Sequence, residues 1–174
     1  EALKKYAGDD VRRYEQVAHL IPDTDLVALG CGTGGFMDYS LKNAKSVSGV
    51  EPQKPVLSEL KKLGYTMFDL PEQLPSNSYD VATLFHTLEH VIEPLDVLKE
   101  AKRSLKEGGL LIVEVPHARD ALLALSEFRE FTFWSEHLIL HTKESLQKFL
   151  EVAGFSDIKI EGFQRYPVSN HLLW

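Results

Sequence analysis

The sequence predicts an α/β fold, a doubly wound and mostly parallel sheet with helices on both faces. Three observations lead there. Short apolar runs alternate with helical patterns along most of the chain. The first run passes directly into the glycine-rich turn Gly30-Cys31-Gly32-Thr33-Gly34-Gly35. An acidic residue, Glu51, closes the second run about 20 residues later.

Taken in order, Val11, Tyr14, Val17, Ala18 and Ile21 recur at helical spacing, and Pro22 ends that pattern. Leu26–Leu29 is a short, continuously apolar run, as expected of a strand buried on both faces. Similar runs follow at Val47–Val50, Tyr65–Phe68, Val81–Phe85 and Leu110–Val115. Between the last two, a helix is expected to start near Pro94, bury Leu95, Leu98, Ala101 and Leu105, and end at Gly108 and Gly109. Thr142 is placed to cap a further helix with the stripe Leu146, Phe149, Leu150 and Ala153; Gly154 ends it and Phe155 folds back. Beyond it, Ile158 and Ile160 alternate with polar residues and predict an antiparallel strand near the sheet's C-terminal edge. Together these elements define the Rossmann-like, doubly wound class.

At 174 residues and 44% hydrophobic composition the chain reads as one domain, 1–174, without repeats. It lacks an initial Met and stops inside Leu172-Leu173-Trp174, which leaves room for further residues at both ends. A formal charge of −7 repels a phosphate backbone, so nucleic acid is not the expected partner. Cys31 is the only cysteine, so there is no intrachain disulfide. With no apolar run near the roughly 20 residues a membrane helix needs, and no signal core at the start, the expectation is a cytoplasmic protein without membrane association.

The glycines suit a turn whose backbone approaches a ligand closely, and Glu51 can accept hydrogen bonds from ribose hydroxyls; together they point to a nucleoside ligand. Four ordered blocks decide which one: LVALGCGTGG, GVEP, FDLPEQLPSNSYDVATLFHTLEHV and LKEGGLLIVEVP. From Leu26 to about Phe155 the chain resembles class I S-adenosylmethionine-dependent methyltransferases of the small-molecule type, among them sugar and quinone-precursor enzymes. The resemblance implies S-adenosylmethionine as cofactor. It implies that Gly30, Cys31, Gly32 and Gly34 pass the methionine part, Glu51 with Pro52 holds the ribose, and Asp69 with Leu70 reads adenine. It also implies that Phe85 and His86 line the methyl-transfer face. The chain departs from the family at Ala28, where an acidic residue usually helps hold the methionine ammonium. LFHT stands where enzymes methylating adenine or glutamine amides carry an Asn-Pro-Pro-Tyr type block, which agrees with the charge argument.

His86, Glu89 and His90 spell H-x-x-E-H, an inverted zinc-protease pattern. It follows a buried strand directly and meets Pro94 within about two turns, so no metal site is expected there. The segment at about 117–141 is an insert in which Phe128, Phe131, Phe133 and Trp134 wall an acceptor pocket or cover the insert's own core. Within it, Glu136 and His137, followed by TKESL and AGF, resemble a stretch of sugar methyltransferases in which an acid and a histidine move protons. Imidazole titrates near neutrality, so His137 is the expected base, with Glu136 orienting it and His86 beside it. His117, His141 and the Tyr166–His171 segment are further candidates for the acceptor side. The expected reaction is methyl transfer to a small molecule, a sugar or sugar-nucleotide first and a phenolic quinone precursor next. A non-catalytic cofactor-binding domain and a nicotinamide-dependent oxidoreductase are the rival readings.

Overall fold

The computed structural model describes residues 7–133 and 136–163. Five strands form one sheet in the order β3-β2-β1-β4-β5, all parallel: β1 Asp25–Leu29, β2 Ser46–Val50, β3 Thr66–Phe68, β4 Tyr79–Phe85 and β5 Leu105–Glu114. Six helices accompany them: α1 Ala7–Val17, α2 Gly35–Ser40, α3 Lys54–Lys62, α4 Pro94–Ser104, α5 Ser126–Thr132 and α6 Lys143–Val152. Among the described residues, no helix is long and apolar enough to cross a membrane.

Alternate residues of the continuous apolar strands feed two cores. Leu26, Ala28, Val47 and Val81 pack with Val17 of α1, Phe36 and Met37 of α2, and Leu57 and Leu60 of α3. Val27, Leu29, Ala82 and Leu84 pack on the other face with Leu98 and Ala101 of α4 and Leu146 and Leu150 of α6. A strand apolar at every position is stable only when both faces are covered, which is why these runs lack alternation.

Two expectations need correction. Among the described residues the sheet is parallel throughout, and Ile158 and Ile160 lie outside any strand; they pack half-buried against the α4–α6 core. Their alternation records burial of one face, which needs no ladder partner. The helix from Pro94 ends at Ser104, short of Gly108 and Gly109, and Leu105 is already extended. Its last carbonyls are taken by distant amides, Asn77 onto Arg103 at 3.0 Å and Ser78 onto Ser104 at 2.8 Å. The Lys106–Gly109 stretch then bulges within β5: Tyr79 faces Leu105, but Val81 faces Leu110.

α6 starts as the sequence indicates. Thr142 and Ser145 exchange reciprocal side-chain to backbone bonds at 3.2 and 2.9 Å, a capping box. Gly154, at φ 92°, lets the Phe155 amide fold back onto the Leu150 carbonyl. The insert leaves and rejoins the body through an isolated parallel bridge between His117 and His141.

Candidate active site

In a parallel sheet the loops after the strands share one edge, and the crevice opens where the chain reverses its direction of winding. That point lies between β1 and β4, the strands whose neighbours are β2 and β5. After β1 the chain turns through Gly30, Gly32 and Gly34 at φ 70°, 52° and 84°, a sequence of left-handed residues costly for any side chain. The amides of Gly30 and Cys31 both donate to the Val50 carbonyl, at 2.9 and 3.1 Å, locking the turn to the end of β2. A Cβ placed on Gly32 would meet nothing within 4 Å, so the space over the loop is open.

Glu51 is 3% exposed. Its Oε2 accepts the Gly32 amide at 3.0 Å and its Oε1 the Gln53 amide at 2.9 Å. Each carboxylate oxygen keeps a further lone pair, so the group that shapes the loop can also receive a ribose diol. Cys31 supplies only backbone. Burial first, and the Glu51 charge second, push its thiol up to about 12, far from the range of a nucleophile. Pro52 is exposed beside Glu51.

At the end of β3, the Asp69 carboxylate is bonded by Lys54, with Lys61 at 3.9 Å, and the Lys54 bond chiefly holds it below the usual carboxylate range. An adenine amine reaching Asp69 would share it with the exposed Lys54. Leu70, half exposed, follows it at the rim. Ala28 has a plain structural place: it sits in the core between Gly49 of β2 and Thr83 of β4.

On the β4 side, Phe85 meets Phe36 edge-on at 4.9 Å and lies 5.5 Å beneath the Arg13 guanidinium. His86 takes φ 48°, rare for a non-glycine residue and strained by about 1–3 kcal/mol. Three bonds hold it there: its amide donates to the Glu114 carbonyl at 2.8 Å, Nδ1 lies 2.9 Å from Glu89 Oε1, and Nε2 lies 3.0 Å from Glu114 Oε1. Both ring nitrogens of His86 therefore face carboxylate oxygens, one from each acid. Arg12 grips Glu114 with both guanidinium nitrogens, at 2.8 and 3.1 Å, and Arg13 adds a contact at 3.3 Å. Burial alone would raise Glu114, but bonds from His86 and Arg12 and the charge of Arg13 outweigh it and hold the group well below the usual carboxylate range.

The insert brings His137 to the same side. Its Nδ1 lies 2.5 Å from the Thr132 carbonyl, which can only accept, so Nδ1 carries the proton and Nε2 presents a lone pair. The group fixing the ring is thus Thr132. Among the described residues the Glu136 carboxylate makes no bond to His137; instead the Glu136 carbonyl receives the Nδ1 proton of His90 at 2.7 Å. Phe128 is buried and Phe133 is 57% exposed, while Trp134, the Phe131 side chain and the Tyr166–His171 segment lie outside the described residues.

Several contributors gave no sequence signal that could be read locally. Thr87 Oγ1 lies 3.2 Å from both the Leu29 and Phe85 carbonyls and ties the ends of β1 and β4 together. A Cβ on Gly49 would stand 2.9 Å from Cys31 Sγ, so a side chain there would push against the loop's cysteine. Arg12 and Arg13 come from α1, which carries no strand-end motif.

A family model described as a methyltransferase domain matches residues 3–160. The chain belongs to this methyltransferase family. Relatives and structural neighbours are named as S-adenosylmethionine-dependent methyltransferases. A probable S-adenosylmethionine-dependent methyltransferase of Mycolicibacterium smegmatis is 26% identical over 148 residues, 82% of this chain and 56% of that protein. A thiol S-methyltransferase of Rattus norvegicus is 30% identical over 171 residues, covering 87% of this chain and 69% of the relative. The crystal structure of a methyltransferase from Thermotoga maritima, described as a possible histamine N-methyltransferase, superposes with a TM-score of 0.70 at 28% identity over 90% of this chain and 74% of that one. This methyltransferase domain thus spans little more than half the length of the mycobacterial relative.

Proposed function

We propose that this methyltransferase domain methylates a small molecule, a sugar or sugar-nucleotide first and a phenolic quinone precursor second, with S-adenosylmethionine as donor. The observation that carries the reading is a groove of about 890 Å3 whose lining includes His86, Glu114, Phe128, His137 and His141, so that it meets the proposed cofactor side at His86. Its volume and mixed lining suit a small ligand. A net charge of −7 argues against a nucleic-acid acceptor.

When bound, S-adenosylmethionine supplies a methyl group on a sulfonium, electrophilic without further activation. Gly30, Cys31, Gly32 and Gly34 provide a bare backbone for the methionine part, Glu51 an acceptor for the ribose, and Asp69 with Leu70 the adenine rim. Phe85 and His86 wall the transfer side, His86 being held rigid by its two carboxylates. A hydroxyl or activated carbon acceptor must lose a proton, and the His137 Nε2 lone pair is placed to take it; positioning and exclusion of water do the rest.

His137→Ala is expected to lower kcat by about 10²–10⁴-fold, with cofactor affinity unchanged. The measurement is transfer of labelled methyl to a panel of nucleotide sugars and catechols. Full turnover in the variant removes His137 from proton transfer. Absence of transfer by the wild type would favour a non-catalytic binding domain.

A further inference from the structure

We propose that Glu89, His90 and His137 form a binding site for a divalent first-row transition-metal ion, of the open kind that zinc enzymes use. In sequence, H-x-x-E-H pairs His86 with His90. In space that pairing dissolves, because His86 has both ring nitrogens against carboxylates. His137 takes its place, and ligand atoms of Glu89, His90 and His137 lie within 4.8 Å of one another.

Each ligand is prepared for a cation. His90 donates its Nδ1 proton to the Glu136 carbonyl at 2.7 Å and His137 its own to the Thr132 carbonyl at 2.5 Å. Both rings are therefore fixed as the tautomer whose Nε2 is a bare lone pair. A backbone carbonyl on the far nitrogen is the usual outer partner of a metal-bound imidazole. The ring centroids are 4.9 Å apart. Glu89 is 0% exposed; its Oε1 lies 2.9 Å from His86 Nδ1 and 3.9 Å from His90 Nε2, and among the described residues its Oε2 has no hydrogen-bond partner, an expensive condition for a carboxylate oxygen that a cation would relieve.

The two segments are joined before any ion arrives: the Leu138 amide donates to the Glu89 carbonyl at 2.8 Å, and the His90 amide to the Thr87 carbonyl at 3.0 Å. Ligands of one tetrahedral ion with bonds of about 2.1 Å stand about 3.4 Å apart. Modest rotation of the imidazoles closes the remaining gap. Two nitrogens and one carboxylate oxygen favour zinc-like ions over magnesium, and three protein ligands leave a position open. His137 also lines the groove, so an acceptor oxygen can reach that position. The ion's part in transfer rests on the proposed function, whereas its binding does not. With an ion bound, the His137 lone pair would be a ligand, and the ion would lower the acceptor's pKa so that its proton passes to water in the groove.

The test is titration of the chelator-treated protein with cobalt(II) chloride, followed by calorimetry and visible d–d absorption. One equivalent should bind with the spectrum of a four- or five-coordinate nitrogen–oxygen site. His90→Ala and His137→Ala should each weaken binding more than about a hundredfold, beyond the typical loss for an outer partner. His19→Ala, with His19 exposed on the N-terminal side of the fold, should not change it. Circular dichroism of each variant separates ligand loss from unfolding. Absence of stoichiometric binding, or binding indifferent to both histidines, overturns the site. S-adenosylmethionine titrated into the same sample reports on the cofactor independently.

Discussion

Glu51→Ala is expected to weaken S-adenosylmethionine binding by about 10²–10⁴-fold while leaving a folded domain. The carboxylate has two tasks. It receives the Gly32 and Gln53 amides at 3.0 and 2.9 Å, which sets the shape of the loop. On the proposed function it is also the acceptor for the ribose. Hydrogen bonds to a charged group are worth about 1.5–3 kcal/mol each. Losing the ribose contact, and having to order a loop freed of its anchor, removes about 3–6 kcal/mol, a loss of about 10²–10⁴ in affinity. Glu51→Gln retains one acceptor oxygen and should fall between the two. Calorimetry measures the affinity, and a thermal melt confirms the fold. Undiminished binding by Glu51→Ala would remove the ribose assignment.

The second large effect is on stability. Glu114 gathers Arg12, Arg13 and His86 around one carboxylate, 8% exposed, and thereby ties α1 to the end of β5. Glu114→Ala leaves Arg12, Arg13 and His86 without the carboxylate they share. Breaking a buried pair on one side typically costs about 3–5 kcal/mol, and the lower end applies because Arg12 remains partly in water. Urea denaturation should show this loss. The same group gives an acid limb. Its folded pKa lies below the ordinary value of 4.5, so the protonated carboxyl is disfavoured in the fold. Its contribution is complete above about pH 4.5 and fades as the pH falls below it. Wild type should lose stability through that window more steeply than Glu114→Ala; parallel acid limbs would show that the cluster contributes little.

The legible parts of the fold were those written in local pattern. Continuous runs at Leu26, Val47 and Val81 became buried strands, and Thr142 and Gly154 bounded α6, because each signal depends on residues within one turn or strand. The end of α4 was illegible because Asn77 and Ser78, more than 20 residues upstream, supply the amides that stop it. Ile158 and Ile160 carried a strand pattern but no information about whether an edge lay beside them. At the site, the glycine loop and Glu51 are contiguous enough to read, and the structure joins them through one hydrogen bond. His137 could be named from its neighbours, yet the carbonyl that fixes its tautomer, Thr132, looks like an ordinary helical residue. The H-x-x-E-H pattern shows the limit in reverse: the letters propose His86, while the fold turns His86 to Glu114 and brings His137 to Glu89 and His90.

The most direct test of the account is a calorimetric titration of the protein with S-adenosylmethionine, with reduced nicotinamide dinucleotide run in parallel. Saturable one-to-one binding of S-adenosylmethionine, and none of the dinucleotide, is the predicted result. Binding of the dinucleotide alone, or of neither ligand, would contradict it.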